Sequence, residues 1–152
     1  MEKRVMQPNE GKRTRNYHLE VIRQDEDRVV AQARGHTLTL NARKGSGEAG
    51  LNAAETLMAA LGTCLLTNMN ALAQKMHLQI NAARVEIDAV RRDDPPLLTE
   101  LRYQLIIDSP EDPDKLQDLH DLSIKWGTVT NTLINGITPH GELLLIHSGR
   151  DR

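Results

Sequence analysis

An α+β fold, with antiparallel sheets and a long central helix, is what this chain of 152 residues predicts. Three observations carry it. Strand patterns follow one another twice, over residues 17–41 and 82–108, and successive strands pair antiparallel instead of building a doubly wound sheet. Between them, residues 52–76 repeat apolar side chains at three-four spacing, and from Pro113 a second helical pattern begins.

In the first strand group, His18 to Ile22 and Val29 to Ala33 flank the charged run Gln24 to Arg28, which reads as a hairpin turn of undefined type. His36 to Leu40 alternates polar and apolar residues like a half-buried strand. The loop 43–50, RKGSGEAG, holds three glycines without the spacing of a phosphate-binding loop.

Asn52 and Glu55 have the spacing of a capping box and open the central helix. Leu57, Ala60, Leu61, Cys64, Leu65, Asn68, Leu72 and Met76 form its main stripe, and Met58, Leu66, Met69 and Ala73 widen it. A helix apolar on most of its circumference is a buried one, covered by its own sheet, by a partner chain or by both. Gly62 costs about 1 kcal/mol against alanine and leaves room for a close approach.

The second strand group alternates Ala83, Val85, Ile87 and Ala89, then Leu101, Tyr103, Leu105 and Ile107, as a long hairpin. Arg91 to Pro96 should interrupt it, and the two prolines argue against a tight two-residue turn. Asp112 is the expected cap, and Pro113 the first residue, of the next helix. Its stripe runs through Leu116, Leu119, Ser123, Trp126, Thr130, Leu133 and Ile137. Gly127 should kink or split it, Asn135-Gly136 should stop it, and Trp126 should anchor the core or wall a pocket. Leu143 to Ile146 reads as a final buried strand.

Composition narrows the function classes. Lys and Arg number 19 against 21 Asp and Glu, with no basic stripe, so no nucleic acid is an expected partner. Residues 1–15 read as a partly mobile arm on a single domain spanning 1–152. One cysteine cannot form an intrachain disulfide. The opening MEKRVMQPNEGK lacks the apolar core of a secretory signal, and no apolar run suggests a membrane span, so a reducing cytoplasm is the expected compartment. Six scattered histidines form no HExxH and no convergent ligand set; neither a metal nor another cofactor is expected.

Cys64 remains the residue with chemistry to offer, either as a small buried hydrophobe or as a reactive thiol. Reactivity needs a nearby cation, for which Arg23, Arg28 and Arg34 are candidates. Glu55 lies nine residues, or 900° of helix, before Cys64, so the two side chains point oppositely.

The stretch NAAETLMAALGTC, residues 52–64, resembles the osmotically inducible protein C and organic hydroperoxide resistance (OsmC/Ohr) family. ARGHTLTLNA (33–42) and DKLQDLHDLSIKWGTVTNTLINGI (114–137) are similar to the flanking strand and the second helical segment of its less characterised branch. The resemblance implies an intertwined homodimer of OsmC-like fold with sites at the subunit interface. It implies thiol-dependent reduction of small organic hydroperoxides, with Cys64 as the attacking thiol, Glu55 and an arginine (Arg34 or Arg23) assisting, and an external thiol as reductant. The family's second cysteine falls on Gly127, so the usual disulfide cycle is replaced by a one-cysteine cycle. The branch-specific catalytic glutamate falls on Ala54. These departures keep open a non-catalytic dimer binding an apolar ligand or partner in the old cleft, and, less directly, another thiol chemistry.

Overall fold

The structure, a computed structural model, describes residues 13–45 and 47–145. The expected arm 1–15 therefore lies mostly outside the described residues, as does Ile146. The chain divides into two compact units, 1–55 and 56–152.

The first unit is built on a three-stranded antiparallel sheet of β1 (Glu20–Arg23), β2 (Arg28–Ala33) and β3 (His36–Asn41), in the order β1-β2-β3. Asp25 makes the first turn. Its carboxylate accepts from the backbone N–H groups of Asp27 and Arg28, both at 2.9 Å, and from the Arg28 guanidinium at 2.6 and 2.8 Å. The guanidinium holds the Asp25 carboxyl below its ordinary range. The second turn is a two-residue hairpin with Arg34 at φ 51° and Gly35 at φ 80°, the paired positive φ values of a primed turn. Asn41 is buried at the end of β3 and uses its amide on both backbone groups of Arg43, at 3.1 Å each.

Helix α1 (Ala53–Lys75) begins with the expected capping box: Glu55 N–H donates to Asn52 Oδ1 and Asn52 N–H to Glu55 Oε2, both at 2.9 Å. Its fully buried stripe is Leu61, Leu65, Met69 and Ala73, one residue per four-residue step.

In the second unit, β4 (Ala82–Asp93) and β5 (Pro96–Asp108) form one long antiparallel hairpin. Ala83, Val85, Ile87 and Ala89 sit opposite Ile107, Leu105, Tyr103 and Leu101, so both alternating rows share the half-buried face. The strands run on past the expected break: Arg91, Arg92 and Asp93 pair with Leu98, Leu97 and Pro96, after a bulge at Val90/Arg91. The link is two residues long, Asp94 and Pro95, contrary to the sequence reading: Asp93 pairs with Pro96, so the second proline lies in β5 and not in the loop.

Two helices complete the unit. Asp112 caps α2 (Pro113–Lys125) by accepting from Asp114 N–H at 2.8 Å, with Pro113 at the first position. Gly127 separates it from α3 (Thr128–Asn135), and Gly136, at φ 68°, ends the helix. Met69, Ala73 and Leu119 form the buried cluster, with Leu66, Leu72, Met76, Ala83, Leu105, Ile107 and Leu116 packed around it. Helix α1 is long and apolar enough to cross a membrane by length and composition, with a mean hydropathy of 1.3 in its best window. Met69 and Ala73 of this helix pack in the buried cluster with Leu119.

Two further expectations fail. Leu143, Leu144 and Leu145 are not in a strand and are 73–82% exposed, so an apolar run alone did not find a strand to pair with among the described residues. Trp126 caps the C-terminus of α2 and is 65% exposed, with the Lys125 ammonium 5.6 Å from its ring centroid, so it does not anchor the core.

Candidate functional site around Cys64

Cys64 lies on α1 between the buried residues Leu61 and Leu65, and its side chain is half-buried. One turn further on, Asn68 points its amide to the sulfur: Nδ2 is 3.8 Å from Sγ and also donates to the Ser123 carbonyl at 3.3 Å. The second bond ties the amide to α2, so its N–H groups are held toward sulfur without further loss of rotamer freedom. Ser123 is itself fully buried and returns its hydroxyl to Leu119 O at 2.7 Å.

The junction between α2 and α3 closes the other side. Gly127 is buried, and a Cβ built on it would stand 3.3 Å from Cys64 Sγ and 2.7 Å from Thr130 Oγ1. A side chain there would overlap Thr130, so the glycine lets the helix junction pack closely beside the sulfur. Thr130 is 8% exposed, and its hydroxyl has no hydrogen-bond partner among the described residues.

The other sequence-selected residues have different surroundings. Glu55 is exposed and engaged in the cap of α1. Arg28 is committed to Asp25. Arg23 ends β1 and Arg34 occupies the β2–β3 turn; both are exposed, and neither has an ion-pair partner among the described residues. Both belong to the first unit, whereas Cys64 belongs to the second.

Asn68, Ser123 and Thr130 are the site residues that sequence reasoning passed over. Each was visible as the polar member of an otherwise apolar helical stripe. Three polar breaks in two buried stripes signal a shared polar spot, because isolated buried polar groups are costly.

A second polar cluster lies along α2. Tyr103 Oη is 2.8 Å from His120 Nε2, with the rings tilted at 60°. His120 Nδ1 faces Gln117 Nε2 at 3.3 Å and Asp121 Oδ1 at 3.5 Å. Burial first, and Asp121 second, push the Tyr103 hydroxyl above its ordinary pKa. Tyr103, Gln117 and His120 line a cavity of about 670 Å³ together with Leu105, Ile107 and Leu116. Among the described residues, no three His, Cys, Asp or Glu side chains converge as metal ligands would.

Antiparallel sheets, a long helix and a single half-buried thiol faced by an amide define an α+β protein with its one cysteine on its main helix. The chain belongs to the OsmC-like family: the family described as OsmC-like protein matches residues 45–140. A hydroperoxide reductase of Mycoplasma genitalium is 26% identical over 123 residues, covering 78% of this chain and 87% of that protein. The fold is that of an OsmC-like protein from Mycoplasma pneumoniae, with a TM-score of 0.73, 22% identity, and coverage of 79% of this chain and 88% of the other. The organic hydroperoxide resistance protein OhrB of Bacillus subtilis shares it at a TM-score of 0.56 and 10% identity, over 77% of this chain and 89% of that one.

Proposed function

We propose that this protein reduces organic hydroperoxides through Cys64, in a one-cysteine cycle completed by an external thiol. The observation that carries the reading is the half-buried sulfur approached by the Asn68 amide. A thiol that merely fills the core has no use for a tethered amide donor, whereas a thiolate gains from one. Family membership and the hydroperoxide reductase relative support the peroxide class. Within this proposal the protein works as a homodimer. Arg34 or Arg23 supplies the cation that favours the thiolate, and Glu55 assists.

The deciding experiment follows consumption of a small alkyl or aryl hydroperoxide with monothiol and dithiol donors. The wild-type protein should turn over and Cys64→Ser should not. Equal rates in the two proteins, or none with any donor, would sink the proposal.

A second reading has its own observation. Met58, Gly62 and Leu66 of α1, with Val85 and Ile87 of β4, line an apolar groove of about 330 Å³. Gly62 and Leu66 each lie two residues from Cys64, about 200° around the helix, so the groove opens away from the thiol. A non-catalytic protein would use it for an apolar ligand. Saturable binding of an apolar fluorescent probe, unchanged by Cys64→Ser and without peroxide turnover, would favour this second reading.

A further inference from the structure

The cavity between β5 and α2 lies within the second unit and takes no residue from α1, so it is separate from Cys64. Its volume of about 670 Å³ is in the range of small-molecule sites. Alternation along β5 puts Tyr103, Leu105 and Ile107 on one face, and Leu116 and His120 line the opposite wall from successive turns of α2. The bond of 2.8 Å between Tyr103 Oη and His120 Nε2 holds the two rings together. At the start of α2 stands Glu111, which also lines the cavity. Its carboxylate is half-buried, accepts from the Gln79 N–H at 2.8 Å through one oxygen, and has no ion-pair partner among the described residues. Asp112, spent on the cap of α2, adds negative charge at the same end. Among the described residues, no lysine or arginine lines the cavity. A carboxylate that has given up part of its water to apolar neighbours gains from a cation, and an anion beside it is repelled.

We propose that this cavity binds a small organic cation, a primary ammonium held at Glu111 and carried on an apolar chain that ends in an aromatic ring. The chain lies along Leu105, Ile107 and Leu116, and the ring packs against Tyr103 and His120. Each part of the ligand answers a feature of the lining. The ammonium gives the Glu111 carboxylate the opposite charge that the described residues do not supply. The ring joins a pair of side chains already tilted at 60°, the kind of arrangement aromatic groups extend edge to face. Pro113 and His120 are seven residues apart, about 10 Å along the helix, which suits a ring and an ammonium separated by a short alkyl chain. The Tyr103 hydroxyl keeps its proton near neutral pH, since burial and Asp121 both oppose its phenolate, and so brings no second anion to the ring end. Nothing in this inference depends on peroxide reduction.

The test titrates the full chain near neutral pH with phenylbutylamine, phenylbutyrate and phenylbutanol, which share one skeleton and differ in charge. Binding is read by calorimetry and by amide chemical shifts. The amine should bind saturably and move the signals of β5 and α2. The carboxylate should bind about tenfold more weakly, the discrimination that one charge-assisted hydrogen bond provides. Glu111→Gln, which keeps an oxygen for the Gln79 N–H, should weaken the amine by the same factor and leave the alcohol unchanged. Gln117→Lys, at an exposed position that lines the cavity, should place a competing cation there and weaken the amine as well. Cys64→Ser should bind the amine like wild type. Equal affinity for amine and carboxylate, amine binding untouched by Glu111→Gln, or no saturable binding of the amine would each overturn the inference, and none of these results bears on peroxide turnover.

Discussion

At the scale of single residues, Gly127 decides how an oxidised Cys64 could be resolved. A Cβ there would lie 3.3 Å from the sulfur, close to the span from a Cβ across one S–S bond, and the glycine backbone accepts a side chain. Thr130 is the obstacle, with its Oγ1 at 2.7 Å and its Cβ at 3.0 Å from the same point. The double variant Gly127→Cys/Thr130→Ala should therefore form a disulfide to Cys64 on treatment with one equivalent of peroxide. The check is loss of both free thiols with no dimer on non-reducing gels, reversed by a dithiol. Gly127→Cys alone should form it less completely, and a double variant retaining both thiols would show that the backbones do not approach as described. The family resemblance made position 127 legible as the place of an absent thiol. The neighbour at 130 was not legible, because a threonine on a helical stripe looks the same whether its hydroxyl is satisfied four residues back or left without a partner among the described residues.

At the scale of elements, the start of α1 separates a structural from a chemical role for Glu55. In the capping box only the acceptor oxygen is needed, and glutamine provides one. Glu55→Gln should leave the melting temperature nearly unchanged, whereas Glu55→Ala should lower stability by about 1 kcal/mol. If the carboxylate assists Cys64, Glu55→Gln should lose peroxide turnover while keeping the fold; full turnover in that variant confines Glu55 to its cap. The β5–α2 contact gives a pH signature. Tyr103 ionises at higher pH in the folded chain than when unfolded, since burial and Asp121 oppose its phenolate. Above about pH 10 the unfolded chain loses this proton first, so stability must fall with rising pH through that range. Tyr103→Phe should show a shallower alkaline loss in denaturant titrations, and an unchanged slope would refute the coupling. Elements set by local chemistry were legible: the Asn52–Glu55 cap, the Asp112–Pro113 start and the Gly136 stop all depend on residues within one turn. The hairpin tip was not, since adjacent prolines at 95 and 96 suggest a longer link, whereas Pro96 already pairs with Asp93 as the first residue of β5.

At the scale of the whole molecule, apolar surface outruns what the described core absorbs. Ile134 and Ile137 are 70% and 80% exposed, and Leu143 to Leu145 lie uncovered beyond them. Full burial of a leucine or isoleucine contributes about 1.5–3 kcal/mol, so this much exposed aliphatic surface favours association. The sequence suggested the same from the circumference of the central helix: in the single chain only one stripe, Leu61 to Ala73, is fully covered, and Leu57 remains 40% exposed. Periodicity shows which residues seek cover but cannot say whether that cover comes from the same chain, which is why the fold class was legible while the final strand and Trp126 were misplaced. The expected outcome is a homodimer in sedimentation velocity at micromolar concentration. Ile134→Lys, on the exposed side of α3, should shift the distribution toward monomer with helical circular dichroism retained. A wild-type protein that sediments as a monomer across that range would show that these side chains tolerate water, and would remove the partner chain from the proposed cycle while leaving the Cys64, Asn68 and Thr130 arrangement, built within one chain, intact.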